Sequence, residues 1–250
     1  TGTELVRDIY VGSNGSWPGN LTMVGSNLYF NASTSAAGGE LWTSDGTYSG
    51  TVQVKDIWSG SSGSSPGNFK ASGSTLYFTA QNNSDGTELW KSDGSDSGTV
   101  QVKNIQSGSG GSWPNHLTVV GGTLYFDAMT SSSGHELWKS DGTESGTVII
   151  KDIYSGSENS TPYDLQANGS TLYFFAKHSS TGVELWKSDG TETGTLLVKD
   201  VNTFTDQSNP SQFTVIGTTV YFIAQTASEG QELWKSDGTA TGTSLVKDIY

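Results

Sequence analysis

Five glutamates and five aspartates recur in this chain in one fixed local setting. Glu40, Glu88, Glu136, Glu184 and Glu232 each open an "ELW" triplet, and Asp45, Asp93, Asp141, Asp189 and Asp237 each follow within an "SDG" triplet. Paired carboxylates can serve as acid and base in glycoside hydrolysis, and clustered ones can hold calcium. Neither chemistry fits this pattern. Equivalent carboxylates distributed one per unit around a symmetric ring lie too far apart to act as a pair, and a single carboxylate per turn supplies too few oxygens for calcium. The expected duties are structural: each Glu accepts hydrogen bonds from backbone or hydroxyl donors of a neighbouring strand, and each Asp closes a turn. His116, His135 and His178 occupy different positions within their units and show no metal-ligand spacing. No G-x-S-x-G run, Ser-His-Asp pattern or phosphate loop before a helix is found. The chain is therefore expected to be non-enzymatic, with no cofactor and no metal.

The elements that carry these residues repeat with a strict period. Trp42, Trp90, Trp138, Trp186 and Trp234 are each separated by 48 residues, without insertions. Such self-similarity marks a repeat architecture. The units read as 1–48, 49–96, 97–144, 145–192 and 193–240, within a single domain spanning 1–250. The last segment, "TGTSLVKDIY" from Thr241, duplicates the opening "TGTELVRDIY".

Within the third unit, Leu117–Val120 is a short apolar run cut by Gly121 and Gly122, and "TLYFDA" from Thr123 has the β-branched and aromatic content of a strand. A polar loop "MTSSSG" follows, then "HELWKS", a tight turn at Asp141-Gly142, and a fourth strand "GTVIIKDI". Nothing has helical period. Each unit is thus expected to be a four-stranded antiparallel meander, and five such units fit an all-β, five-bladed β-propeller. Six copies of the fourth strand for five blades leave one surplus. A ring closed by a strand from the termini is expected, with the other copy available for self-association through an unpaired edge.

Composition narrows the partners. A net charge of −13 and an isoelectric point near 4.4 exclude a phosphate-backbone partner, which requires clustered Lys and Arg. No run of about 18 apolar residues is present, so membrane insertion is not expected. The missing initiating Met and signal sequence suggest a processed or excised piece. Cysteine is absent, and disulfide or thiolate chemistry with it.

The run "GxELWKSDGTxxGTxLVKDI", as in Gly182 to Asp200, resembles the repeat of bacterial ELWxxDGT proteins, and the resemblance covers all five units. The "GxELW" portion is also similar to quinoprotein-type propeller blades. The resemblance implies a propeller in a bacterial, secreted or surface-exposed protein, and no chemistry.

Variation between units concentrates in the loop after the fourth strand, from "YVGSNGSWPGN" at Tyr10 to "NTFTDQSNPSQ" at Asn202, and in the loop after "LYFxA". Both are expected on one face, where loops on a rigid scaffold usually bind. Tyr10, Trp17, Trp58, Trp113 and Tyr154 stand there among Asn, Ser and Asp, the surface a sugar favours, because a ring covers C–H patches while amides and carboxylates take hydroxyls. The alternative is that these aromatics only staple the loop. A second column, Asn20, Asn68, His116, Asp164 and Gln212, is polar in every unit and alternates with apolar residues, as a ring lining a central channel should. The expected function is a binding or interaction scaffold of a secreted or surface protein, taking glycans or proteins at the variable-loop face. Its rival is a purely structural, recently amplified or engineered propeller with no small-molecule ligand.

Overall fold

The computed structural model describes residues 2–203 and 208–249, so residues 204–207 of the fifth variable loop, and the outermost residue of each terminal copy, lie outside the described residues. Among the described residues there are twenty strands and no helix. The first sheet consists of Gly19–Val24, Asn27–Thr34, Gly38–Ser44 and Val52–Lys55. The second comprises Gly67–Ser72, Thr75–Asn82, Gly86–Ser92 and Val100–Lys103, and the same set recurs until the fifth, with Ser211–Ile216, Thr219–Thr226, Gly230–Ser236 and Ser244–Lys247. In all five sheets the strands stand side by side in sequence order. Neighbouring strands pair antiparallel, as in all three pairings of the first sheet. The meander expected from the sequence is thus present five times.

Two details differ from the expectation. In the third sheet the second strand runs through Met129 and Thr130, which pair with His135 and Gly134 and so are not loop. The connection between third and fourth strands is longer than a two-residue hairpin: it spans 45–51 in the first sheet. Its geometry comes from the aspartate. Asp45 Oδ1 accepts from Thr47 N at 2.9 Å and from Thr47 Oγ1 at 2.7 Å, while Thr51 Oγ1 donates to Thr47 O at 2.7 Å. These local bonds satisfy the turn's own backbone.

The sheets are offset from the repeat frame. Each takes its fourth strand from the start of the following sequence unit, so the closing copy supplies Ser244–Lys247 at the edge of the fifth sheet. The opening copy precedes the first sheet, and its residues 2–8 form no strand.

Packing divides the chain into two compact units, Thr1–Leu117 with Gly142–Glu144, and Thr118–Asp141 with Ser145–Tyr250. In the first, Val24, Tyr29, Leu41 and Val54 of the first sheet pack on Leu76, Phe78, Ala80 and Trp90 of the second. In the second, Tyr173, Leu185 and Val198 pack on Val220, Phe222, Ala224 and Trp234 in the same arrangement. In both interfaces one sheet gives a Tyr/Leu/Val set, and its neighbour receives it with an aliphatic residue, Phe, Ala and Trp. Each buried large side chain contributes about 1.5–3 kcal/mol, so these contacts between sheets dominate cohesion.

Polar latches accompany the apolar contact. Lys91 Nζ donates to Gly142 O at 2.9 Å, and Lys139 and Lys187 repeat the bond to Gly190 and Gly238 at 2.8 Å. The Tyr29 hydroxyl occupies the space a Cβ on Gly94 would need, as does Tyr173 at Gly238. The last glycine of each turn is fixed by a different neighbour: a Cβ on Gly98 would land on the Asp93 carboxylate. Gly98→Ala is expected to destabilise the protein by about 1–3 kcal/mol through overpacking against that turn. Chemical denaturation against Ser97→Ala as control checks this, and equal midpoints for the two variants would contradict it.

Candidate functional site

The five glutamates lie in the third strands, and the carboxylates of Glu40, Glu88, Glu136 and Glu184 turn toward the loop that leads to the next sheet. Glu88 is fully buried. Its Oε2 accepts from Ile105 N at 3.1 Å and Ser112 Oγ at 2.5 Å, and its Oε1 accepts from Gln106 N at 3.1 Å and Ser112 N at 3.0 Å. Glu40 holds Ile57, Trp58 and Ser64, and Glu136 holds Ile153, Tyr154 and Ser160, with the same four bonds. The carboxylate thus anchors the variable loop rather than a neighbouring strand. Burial pushes Glu40, Glu88, Glu136 and Glu184 up, opposed by their donors, and Glu136 and Glu184 reach about 7.

The loop is fastened on both sides. Ser64 O accepts from Gln81 N of the second sheet at 3.0 Å, and Ser65 N donates to Gly39 O of the first at 3.1 Å. Every residue preceding the loop proline is left-handed: Trp17, Ser65, Trp113, Thr161 and Asn209 have φ between 43° and 51°. The polar column three residues on shares this conformation, with Asn20, Asn68, His116, Asp164 and Gln212 at φ of 51–56°. Asn, Asp and His tolerate that region best, which gives the column a backbone reason for its polarity. The conformation coincides with a shift in register in the first strand, as between Gly67 and Lys70. All five side chains are exposed. Asn68 Nδ2 also reaches Pro114 O at 3.1 Å, and Asn20 Nδ2 reaches Pro66 O at 3.3 Å.

The aromatic set is divided. Trp17 and Trp113 are exposed, whereas Tyr10, Trp58 and Tyr154 are half-buried. The Tyr154 ring carries Lys177 Nζ at 5.3 Å from its centroid. Trp17 lines a separate apolar hollow on the first sheet's face with Leu5, Leu21 and Phe30. Trp113 and Asn68 come together with others. They line a cleft of about 420 Å³ with Thr79, Gln81, Thr87 and Asn115. The indole of Trp113 is fixed by donation from Nε1 to Gly110 O at 2.7 Å, and its backbone N donates to Thr87 O at 3.1 Å. One aromatic face therefore stands beside amides and hydroxyls. Equivalent positions in the first sheet place Ser65 where Trp113 stands, so the cleft is not repeated in kind.

Sequence reasoning missed one pair. In the third sheet Asp127 and His135 take the positions of Thr79 and Thr87, and His135 Nδ1 lies 3.0 Å from Asp127 Oδ2. Asp127 is almost buried, and its bond holds the His135 imidazole above the ordinary histidine range. The signal was available in the strand register. Asp127 pairs with Leu137 and Met129 with His135, which puts Asp127 and His135 on one face as diagonal neighbours. Among the described residues no group of three His, Cys, Asp or Glu is placed to hold a metal ion.

No family model matches the chain. No curated protein matches it. Solved structures share its fold: a puromycin hydrolase superposes with a TM-score of 0.55 at 12% identity over 92% of this chain and 38% of that one. A puromycin-hydrolyzing peptidase of Mycobacterium tuberculosis gives 0.54 at 11% identity over 92% of this chain and 38% of that one. The computationally designed Ika8 protein gives 0.50 at 12% identity, over 91% and 60%. The chain thus spans well under half the length of the two hydrolases. Five four-stranded meanders together with this likeness support a β-propeller repeat architecture.

The buried glutamates and the His135 imidazole shift in one direction, upward. A carboxyl raised from 4.5 to about 7 at Glu136 contributes stability that is complete below its unfolded value and is lost as pH rises through about 7. His135, also raised, loses its contribution on the same upward path. The denaturation midpoint is expected to fall between about pH 5 and about pH 8, less so in Glu136→Gln and Asp127→Asn. A midpoint that rises over this range in the unaltered chain would contradict the assignment.

Proposed function

We propose that the chain is a non-catalytic binding module built from propeller blades, and that its ligand is a saccharide held in the Trp113 cleft. The observation that carries this reading is the placement of one exposed, anchored indole beside the Asn68 and Gln81 amides and the Thr79 and Thr87 hydroxyls. A sugar ring presents an apolar C–H face and a rim of hydroxyls, and this lining complements both. Because the indole N–H is already bonded to Gly110 O, the ring offers its face and not its donor. Such a role fits an extracellular or cell-surface setting, which the ELWxxDGT resemblance also implies. Proteins with exposed glycans are the corresponding macromolecular partners.

The five sheets are read as the blades of a five-bladed propeller. In a closed ring the receiving face of the first sheet meets the giving face of a fifth, sealed by a terminal copy of the fourth strand.

Binding is tested on a glycan array followed by calorimetry with the best saccharide. Trp113→Ala is expected to weaken binding at least tenfold, about 1.4 kcal/mol, and Asn68→Ala to weaken it less, while Trp17→Ala leaves it unchanged. Silence across the array, or equal binding by Trp113→Ala, would favour the ligand-free scaffold.

A further inference from the structure

The strand positions that line the Trp113 cleft recur on the other sheets with different side chains. Thr79 and Thr87 of the second sheet correspond to Asp127 and His135 of the third and to Phe175 and Val183 of the fourth, while Gln81 corresponds to Met129 and Lys177. The pairing is the same in all three: Gln81 stands opposite Thr87, Met129 opposite His135 and Lys177 opposite Val183. The backbone is therefore constant while the chemistry changes. On the third sheet these positions carry a bonded acid and imidazole, and on the fourth an ammonium over the Tyr154 ring. On the second, none of the side chains that line the cleft is ionisable.

What this lining can offer a ligand is set by the bonds it has already made. Trp113 Nε1 is spent on Gly110 O at 2.7 Å and Asn68 Nδ2 on Pro114 O at 3.1 Å, so the indole presents a face and Asn68 its acceptor oxygen. Asn115 Oδ1 accepts from His116 N at 2.9 Å, which leaves its Nδ2 as a donor. The Gln81 amide and the Thr79 and Thr87 hydroxyls both donate and accept, as sugar hydroxyls do. An adjacent pair of hydroxyls matches the oxygen and nitrogen of one primary amide. At about 420 Å³ the cleft stands near the small end of ligand sites, about 300–1,000 Å³, which suits the end of a glycan and not a run of it.

We infer that the Trp113 cleft selects uncharged saccharide ends and rejects uronates and amino sugars, and that Gln81 is the residue that sets this choice. The inference rests on the saccharide reading of the cleft. A carboxylate or ammonium carried into the cleft would lose water and meet no opposite charge, a cost that a hydroxyl is spared. The net charge of −13 disfavours an acid further. Selectivity of this kind comes from leaving the wrong ligand unpaired. Gln81 lies on a strand, where its backbone N is bonded to Ser64 O at 3.0 Å, so its side chain is presented from a fixed point. Lys177 at the same position of the fourth sheet shows that the strand accepts a charged side chain there. A lysine at position 81 would supply the charge that the cleft lacks.

The test is calorimetry on the full chain with methyl glycosides in matched sets: glucose, galactose and N-acetylglucosamine, then glucuronate and galacturonate, then glucosamine. A neutral glycoside is expected to bind with an affinity that changes less than about twofold between about 50 and about 500 mM salt, and its charged counterpart to bind at least about tenfold more weakly. Gln81→Lys is expected to raise affinity for the matching uronate at least about tenfold and to make that binding fall as salt rises, and Gln81→Arg to act in the same direction. A uronate or glucosamine that binds the unaltered chain as tightly as the neutral glycoside, and is lost in Trp113→Ala, would overturn the inference and keep the saccharide reading. Uronate affinity unchanged in both Gln81 variants would overturn the assignment of Gln81. Silence from every glycoside and across the glycan array would overturn the inference and the saccharide reading together.

Discussion

A buried carboxylate in each third strand is the constraint on which the rest depends. Four donors converge on Glu88, three of them backbone amides of one loop and one the hydroxyl of Ser112. That loop would otherwise bury polar groups with no acceptor, at about 1–3 kcal/mol each. Because it is pinned at both ends, it sets where the next sheet begins. The apolar faces then meet in register, with Tyr29 and Phe78 interleaved and the lysine latches falling on the next turn. The same four-bond anchor at Glu40, Glu88 and Glu136 thus repeats one junction between successive sheets.

The candidate site is a by-product of that anchoring. Trp113 follows Ser112 directly, so the residue that completes the carboxylate cage also fixes the backbone from which the indole projects. The left-handed φ of 50° at Trp113, immediately before Pro114, turns the chain outward there. Variation at a position so tightly held changes surface chemistry without changing the scaffold. Indole, hydroxyl or amide can occupy it in turn. The Asp127–His135 pair illustrates the same freedom on the adjoining hairpin, where threonines stand in the second sheet.

Much of this was legible in the sequence, and the failures have physical causes. Period, strand content and the meander followed from Trp spacing and from alternation in "LYF" and "ELW". Glu40 and its equivalents were legible as structural acceptors, but their partners were not, since the donors lie 17 to 24 residues further on in an irregular loop. The Asn20 to Gln212 column was legible as polar, while its left-handed backbone was hidden, because a residue two after proline carries no strong turn signal. The left-handed residue before proline runs against the usual preference for extended conformations there. Trp113 and Asn68 were found separately. Their meeting in one cleft depends on two loops from adjacent sheets, which no single repeat reveals. Unequal exposure of Leu21 and Leu165 is invisible to any comparison of repeats, since it records the surroundings and not the residue type.

The buried carboxylate holds the loop that joins neighbouring sheets. Amide hydrogen exchange in Glu88→Gln measures it directly, because the amide side chain replaces one acceptor oxygen with a donor and leaves loop donors unpaired. Exchange at Ile105, Gln106 and Ser112 is expected to accelerate by at least about tenfold, the effect of losing one or two hydrogen bonds to a charged group, while Phe78 in the neighbouring strand keeps its protection. Unchanged protection at all three loop amides would contradict the claim and would leave the order of the loop to its proline and its contacts with the two sheets.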